Sequence, residues 1–183
     1  MGLDMYLDRV HKDAAGYEEY TEADMGRLKS ENPILYFTVL PHIEKCEEVG
    51  YWRKANAIHN WFVTNVQNGV DDCGKYSVSK DMLESLRDTA QKVLDSCVLT
   101  DGDINVGSHI VNGQVERIIQ RGKVVADPTV AEELLPTISG FLFGCEDYTE
   151  SYVNDLSDTI DITSAILSET DFENYDVYYK SSW

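Results

Sequence analysis

The stretch from Val49 to Tyr76 constrains the fold most, because it holds the clearest amphipathic helix pattern in the chain. Its apolar side chains recur at steps of three and four residues, which places them on one face of a helix. These residues are Trp52, Ala55, Ile58, Phe62 and Val66. The Asn68-Gly69 pair that follows is a helix stop signal. We therefore predict a helix that begins just after Gly50 and ends before Asn68.

One edge of this predicted helix is polar, with Arg53, Asn56 and His59 beside Trp52. Polar side chains on the inner edge of a helix either satisfy one another in a buried network or line a site. In the second interpretation Trp52, Arg53, Asn56 and His59 form the wall of a pocket. Such a pocket would be the place where an enzyme of unfamiliar type acts.

Strand patterns lie at both ends of the chain and at three places between them. Leu3–Val10 alternates apolar with mostly acidic residues, and Val177–Trp183 is rich in tyrosine and valine. The β-branched and aromatic run Ile34–Leu40 predicts a further strand, and the apolar run Ile138–Phe143 predicts a buried one. Tyr76–Val78 is a short extended piece.

Helices are predicted where a capping residue or a turn precedes apolar residues at helical spacing. The predicted starts are Thr21 before Glu22–Lys29, Ser79 before the apolar face that runs from Met82 to Cys97, the Asp127-Pro128 pair, and the beginning of Thr149–Glu169.

Residues 98–126 have a different character, because glycines punctuate short β-prone pieces. Asn112-Gly113 is a strong hairpin signal, since a type I′ turn needs positive φ at both central residues. Arg121-Gly122 predicts a second turn. We therefore predict a β-meander inserted between helices.

Together these elements predict one α+β domain over residues 1–183, a mainly antiparallel sheet with three or four helices packed on it. A chain of 183 residues can bury a core without disulfides or metal.

No apolar run approaches the roughly 20 residues that span a bilayer. The first residues lack the pattern of a secretory signal, so we expect a cytoplasmic protein. Its four cysteines have no CxxC spacing and are expected to be free thiols.

The net charge of −18 limits the partners of this chain. Nucleic acid and anionic membranes repel such a protein, and no basic patch exceeds Arg53-Lys54. Direct binding to nucleic acid or to a membrane is therefore not expected. The negative charge attracts basic proteins instead.

Between Cys145 and Asp176 every charged side chain is acidic. The candidate partner-binding residues are Glu146, Asp147, Glu150, Asp155, Asp158 and Asp161. Like charges at helical spacing destabilise an isolated helix. The segment is either a solvated face opposite the apolar stripe of its helix, or a surface kept for a basic partner such as a phosphate-binding channel, where it would partly imitate DNA.

Metal and catalytic motifs are weak. Asp101-x-Asp103-x-Asn105 begins like a calcium loop, but Val106 and Asn112 stand where an EF-hand needs Gly and Glu. The histidines and cysteines show no zinc spacing. We therefore expect no metal and no cofactor.

A nucleophilic site could be drawn as Cys73 with His59 and Asp71, if the fold brings them together. P-loop, GxGxxG, GxSxG and HExxH patterns are absent from the sequence. No residue is therefore assigned a catalytic role.

Four motifs carry a resemblance that covers nearly the whole chain: MGLDMYL, YWRKANAIHNWF, AEELLPT with SGFLFG, and the terminal VYYKSSW. Together they resemble a family of small phage, prophage and mobile-element proteins. The resemblance implies an origin on a mobile genetic element, where anti-defence genes are common, and brings no established activity. In size and charge the chain also resembles the acidic type II-A anti-CRISPR inhibitors of Cas9, which share no common motif from which a residue could be carried over.

The function expected from these features is anti-defence. The protein would inhibit a host RNA-guided nuclease of the Cas9 type, in its guide-loaded form, through an acidic protein–protein surface in the host cytoplasm. The alternative is a small phage-encoded enzyme with a pocket at Trp52, Asn56 and His59. A homodimer is a further expected assembly.

Overall fold

The computed structural model describes residues 2–14, 20–43, 46–111, 114–140 and 142–183. The strands are β1 (Asp4–His11), β2 (Cys46–Arg53), β3 (Tyr76–Val78), β4 (Leu99–Val111), β5 (Gln114–Val125) and β6 (Tyr175–Ser182). The helices are α1 (Glu22–Glu31), α2 (Pro33–Ile43), α3 (Asn56–Asn65), α4 (Lys80–Ser96), α5 (Thr129–Leu134) and α6 (Glu150–Glu169), with a 3₁₀ turn at Lys12–Ala14. All strand pairs are antiparallel, which confirms the α+β class.

The main sheet has the strand order β2-β1-β6-β3, so the two terminal strands lie side by side at its centre. Asp4 pairs with Ser182 and His11 with Tyr175. Both predicted terminal strands are therefore confirmed. Their alternation turns Met5 and Leu7 into the core, where both are fully buried.

The core lies between this sheet and the helices α3, α4 and α6. Phe62 of α3 stacks on Tyr179 of β6, with ring centroids 3.9 Å apart and planes 8° from parallel. Gly50 of β2 passes so close to α6 that an added Cβ would lie 2.7 Å from a methyl carbon of Ile162. The glycine therefore permits the helix to pack directly on the strand.

The predicted caps are confirmed for two helices, and a third predicted helix is confirmed without a side-chain cap. Thr21 caps α1 in a reciprocal capping box with Asp24. Ser79 accepts a hydrogen bond from the backbone N–H of Met82 at the start of α4. The helix predicted over Thr149–Glu169 is α6.

The predicted strand over Ile34–Leu40 is wrong, because this run lies in helix α2. Asn32 precedes it and its side-chain oxygen accepts from the backbone N–H of Leu35, while Pro33 occupies the first helical position. Both are start signals for a helix, and they outweigh the β-branched composition.

The long helix predicted after Gly50 begins too early. Trp52 lies in β2 opposite Met5, and the helix starts at Asn56. The spacing of three and four residues does not come from a single helix. It arises because the inward-facing residues of strand β2 are followed directly by the inward-facing residues of helix α3. The predicted stop is confirmed, with Asn68 and Gly69 both at positive φ.

The predicted meander is a single long hairpin of β4 and β5. The turn predicted at Arg121-Gly122 is wrong, since Gly122 lies within β5 opposite Gly102. A Cβ on Gly122 would lie 2.4 Å from Ile104, so this glycine makes room for a cross-strand neighbour. The turn predicted at Asn112-Gly113 lies outside the described residues.

The buried strand predicted over Ile138–Phe143 is also wrong. Its described residues are irregular, and Phe141 is not among them. Leu142 takes a left-handed φ of 62°, which a strand does not allow. Helix α5 starts one residue after Pro128, and Asp127 accepts a hydrogen bond from the backbone N–H of Thr129.

Two further observations concern the chain as a whole. The four cysteines all lie within the described residues, and no disulfide joins any two of them, as predicted. None of the described helices combines the length and the apolar character needed to cross a bilayer.

Candidate functional site

A groove runs between the β4–β5 hairpin and the first turns of α3 and α6. It consists of a hairpin cavity of about 900 Å³ and a helix cavity of about 400 Å³. The two cavities share the lining residues Lys54, Gly144, Cys145, Asp147, Thr149 and Ser151. We therefore treat them as one groove.

Residues with left-handed backbone conformations form the floor of this groove. Lys54 (φ 62°) turns the chain from β2 into α3, and Leu142 and Gly144 also have positive φ. A Cβ on Gly144 would lie 2.9 Å from the carbonyl oxygen of Lys54. For residues other than glycine this conformation costs about 1–2 kcal/mol each, so two such residues are held in place by their surroundings.

Asn56 holds the irregular segment that follows α5. Its side-chain nitrogen donates to the carbonyl oxygens of Cys145 (2.9 Å) and Phe143 (3.3 Å), and its oxygen accepts from the backbone N–H of Ile138 (3.2 Å). Asn56 is 4% exposed, and its hydrogen bond to Phe143 is buried, whereas those to Cys145 and Ile138 are partly buried. The position of this wall of the groove therefore depends on Asn56.

Substitution of Asn56 by alanine is expected to destabilise the fold by about 1–3 kcal/mol, because three backbone groups lose their partner and one of them, the carbonyl oxygen of Phe143, is buried. Asn56→Asp is the matched variant. It retains the acceptor for Ile138 but loses the donor to the two carbonyl oxygens. Chemical denaturation measures both changes, and a loss below about 0.5 kcal/mol for Asn56→Ala would contradict the anchoring role.

The hairpin is attached to the start of α6 by several contacts. Asp147 accepts a hydrogen bond from the backbone N–H of Asn105 (2.7 Å), and the thiol of Cys145 donates to the carbonyl oxygen of the same residue (3.6 Å). Val124 forms an isolated bridge with Thr149. Burial raises the pKa of the Cys145 thiol, so it is not an activated nucleophile.

Basic side chains line the groove from two directions. Lys54 lies at the floor, and Arg117, Arg121 and Lys123 project from alternate positions of β5. Arg53 lines the helix cavity. The sequence does contain a signal for this wall, which is the period-two spacing of the basic residues in β5, but that spacing does not identify the surface that the strand faces.

Several of these cations are paired. Arg121 contacts Asp103 at 2.9 Å, Lys123 contacts Asp101 at 2.8 Å, and Arg53 lies 3.8 Å from Asp4. Lys54 and Arg117 have no carboxylate within 4.0 Å in the part of the chain that the structure describes.

The acidic residues of the calcium-like motif form ion pairs across the hairpin. Asp101 and Asp103 each contact a cation on β5. Across the described ranges, no three His, Cys, Asp or Glu side chains are grouped so that they could hold a metal ion.

Asp155 is the most perturbed carboxyl group of the site. It lines the helix cavity on the first turns of α6. Burial, with a smaller contribution from the charge of Asp158, raises the pKa of Asp155 to about 7. This carboxyl group therefore titrates near neutral pH.

The six candidate acidic residues do not form one surface. Glu146, Asp147 and Glu150 line the hairpin cavity, and Asp155 joins Asp147 in the helix cavity. Asp158 and Asp161 lie outside the groove on the exposed side of α6. None of the six has a cationic side chain within 4.0 Å among the described residues.

The pocket residues predicted around the start of α3 also separate. Arg53 and Asn56 line the helix cavity, whereas Trp52 and His59 are buried in the core. The indole nitrogen of Trp52 donates to the hydroxyl of Thr159 at 3.0 Å.

His59 lies at the centre of a buried hydrogen-bonded chain. Its Nε2 is 3.0 Å from Asp71 and its Nδ1 is 2.7 Å from the hydroxyl of Tyr179, while Trp183 donates to Asp71 at 3.1 Å. A carboxylate only accepts, so Nε2 carries the hydrogen and Nδ1 accepts from Tyr179. Burial raises the pKa of Tyr179 far above its usual value, which keeps the phenol neutral as that donor.

This arrangement bears on the nucleophilic site drawn around Cys73. The structure does bring His59 and Asp71 into contact. Both ring nitrogens of His59 are already hydrogen-bonded, and its side chain is fully buried. The imidazole therefore has no nitrogen left to accept a proton from the exposed Cys73, and the network joins the C-terminal strand to α3.

Comparisons with known proteins find no relative of this chain. No family model, no curated protein and no solved structure matches this chain.

Proposed function

We propose that this protein acts by binding a basic macromolecular partner through exposed carboxylates at and near the start of α6. This acidic face consists of Glu146 and Glu150, which also line the hairpin cavity, and of Asp158 and Asp161 outside the groove. The observation that carries the proposal is that all four are exposed and that none has a cation within 4.0 Å in the described part of the chain. Unpaired like charges on one helix repel one another, and a basic partner relieves that repulsion.

The spacing of these charges favours electrostatic attraction over close imitation of DNA. Glu150 and Asp161 are eleven residues apart, which is roughly 16 Å along a helix axis. B-DNA carries about ten charges over the same length. The acidic face offers far fewer, so it steers a basic surface into contact without reproducing the phosphate pattern of a duplex.

The partner that we propose is a host RNA-guided nuclease of the Cas9 type, in its guide-loaded form. Two features support it: the resemblance of the sequence motifs to mobile-element proteins, and a charge that complements a nucleic-acid channel. The protein would then act as an anti-defence inhibitor.

The test compares two variants that change the net charge equally. The acidic-face variant combines Glu150→Gln, Asp158→Asn and Asp161→Asn. It omits Asp155, because that carboxyl group is largely buried. The control variant combines Asp81→Asn, Asp88→Asn and Asp95→Asn, three exposed aspartates spaced by seven residues on α4.

We expect the parent and the control variant to inhibit DNA cleavage by the guide-loaded nuclease at 0.15 M salt. The acidic-face variant should need at least tenfold more protein for the same inhibition. Equal inhibition by both variants would show that the exposed side of α6 is an ordinary solvated surface with no role in binding. Failure of the parent to inhibit would remove the nuclease assignment.

A second candidate function is a small phage-encoded enzyme that acts in the groove. The observation that favours it is that Arg53 and Asn56 line the helix cavity. Because His59 is enclosed in the core, the chemistry would have to use other groove residues, and Asp155 is the one whose pKa suits proton transfer near pH 7. Asp155→Asn would then abolish an activity that a variant with only Asp158→Asn and Asp161→Asn retains, since neither of these residues lines the groove.

A further inference from the structure

We propose that the groove is a binding site for a small phosphorylated ligand, whose phosphoryl group lies between Lys54 and Arg117. This inference does not depend on the proposed basic partner, although Glu146 and Glu150 of the acidic face also line the hairpin cavity. It rests on the cavity and on the cations that surround it.

The first observation concerns charge. The chain has 33 acidic and only 15 basic side chains, so a cation on its surface readily finds a carboxylate. Lys54 and Arg117 line the same cavity and have no ion pair within 4.0 Å among the described residues. Glu146, Asp147 and Glu150 line the same cavity, so the two unpaired cations supply charged donors to an anion without giving the cavity a net positive charge.

The second observation concerns the neighbouring cations. Arg121 and Lys123 line the same cavity and are paired only with exposed carboxylates on the adjacent strand. Exposed ion pairs of this kind contribute little to stability, because solvent screens them. Both side chains can therefore turn toward a phosphoryl group, and the guanidinium groups can bind it through two parallel hydrogen bonds.

The helix cavity adds backbone donors at the other end of the groove. Neither α3 nor α6 has a side-chain cap, and Ala57, Ser151 and Tyr152 in their first turns line this cavity. The N–H groups of a first turn have no partner within their own helix and favour an anion. These donors supplement the cationic side chains.

The carboxylates in the groove determine how close the anion can lie. Asp147 is already used as an acceptor for the hairpin backbone, and Glu146 and Glu150 are exposed at the surface. Asp155 is the inward carboxyl group, and its charge opposes an anion in the helix cavity. Loss of that charge should strengthen binding of an anion.

The size of the groove indicates the ligand class. A cavity of about 400 Å³ joined to one of about 900 Å³ exceeds the space that a phosphate ion needs. It falls in or above the range of about 300–1,000 Å³ that is typical of small-molecule sites. A phosphate ester with an organic body therefore fits the groove better than inorganic phosphate does.

The test uses isothermal titration calorimetry of the full chain in 0.15 M salt, with inorganic phosphate and a nucleoside monophosphate as separate probes. The variants are Lys54→Asn, since asparagine tolerates a left-handed φ, and Arg117→Gln. Lys92→Gln is the control, because this exposed lysine on α4 does not line the groove. Circular dichroism verifies that each variant folds.

We expect saturable binding of the nucleoside monophosphate, with weaker binding of inorganic phosphate. Lys54→Asn and Arg117→Gln should each weaken binding of the nucleoside monophosphate about tenfold or more, since a hydrogen bond to a charged group contributes about 1.5–3 kcal/mol. Lys92→Gln should leave it unchanged and Asp155→Asn should tighten it. Equal binding of both probes would restrict the site to the phosphoryl group alone, which overturns the organic-body assignment. No saturable binding of either probe, or an equal loss in Lys92→Gln, overturns the site.

Discussion

Replacement of His59 by alanine is expected to lower the free energy of unfolding by about 3–4 kcal/mol. The buried hydroxyl of Tyr179 would lose its hydrogen-bond partner, which costs about 1–3 kcal/mol. The partly exposed carboxylate of Asp71 would lose one partner and keep Trp183, which costs less. The empty volume beside Phe143, whose ring meets the imidazole edge-on at 5.4 Å, adds a cavity contribution.

Urea denaturation measures this loss, and His109→Ala is the matched control. His109 lies on the exposed hairpin with half of its side chain accessible, so its removal should change stability by less than about 0.5 kcal/mol. The loss of stability in Tyr179→Phe should lie between the losses in His59→Ala and His109→Ala. This substitution removes one hydrogen bond but retains the stacking of the ring on Phe62. Equal stability of the two alanine variants would mean that the buried network contributes nothing.

Asp155→Asn is expected to stabilise the protein at pH 8 by about 2–4 kcal/mol. Burial raises the pKa of Asp155 to about 7, against 3.8 as its ordinary value. Between about pH 4 and pH 7 the folded protein retains a proton that the unfolded chain has released, so the stability of the parent falls as the pH rises through this window. An amide of the same shape removes that penalty.

The measurement is the free energy of unfolding at pH 4.5 and at pH 8 for the parent, for Asp155→Asn and for Asp161→Asn. Asp161 is an exposed aspartate on the same helix, and its replacement controls for the loss of one negative charge from α6. The difference between Asp155→Asn and the parent should be small at pH 4.5 and large at pH 8. A difference that does not change with pH would show that burial does not perturb this carboxyl group.

Local signals predicted the elements whose start or pairing is determined nearby in the sequence. Ser79 caps α4 as expected, and the alternation of the terminal segments gives β1 and β6. Composition alone failed where a local cap opposed it, as at Asn32-Pro33 before α2. It also failed at 138–143, because the hydrogen bonds of this segment to Asn56 come from a residue that is distant in sequence.

The candidate site was less predictable, because it forms only where distant segments meet. The sequence indicated Arg53 and Asn56 as well as the acidic segment, but it did not indicate that Lys54 faces the hairpin. The basic residues of β5 were missed because a strand pattern shows which side chains share a face, not what that face covers. His59 was ambiguous between network and pocket, and its two buried hydrogen bonds place it in a network.

The most direct measurement of the proposed function is the association rate with a guide-loaded Cas9-type nuclease at 0.01 M and at 0.15 M salt. Electrostatic steering weakens as the Debye length falls from about 30 Å to about 8 Å over this range. For the parent and the α4 control variant, we expect association to slow by tenfold or more as salt rises. The acidic-face variant should associate more slowly at both concentrations and depend less on salt than the α4 control, although the rest of the chain remains acidic. The same salt dependence in the acidic-face variant and in the α4 control would contradict a binding role for this face.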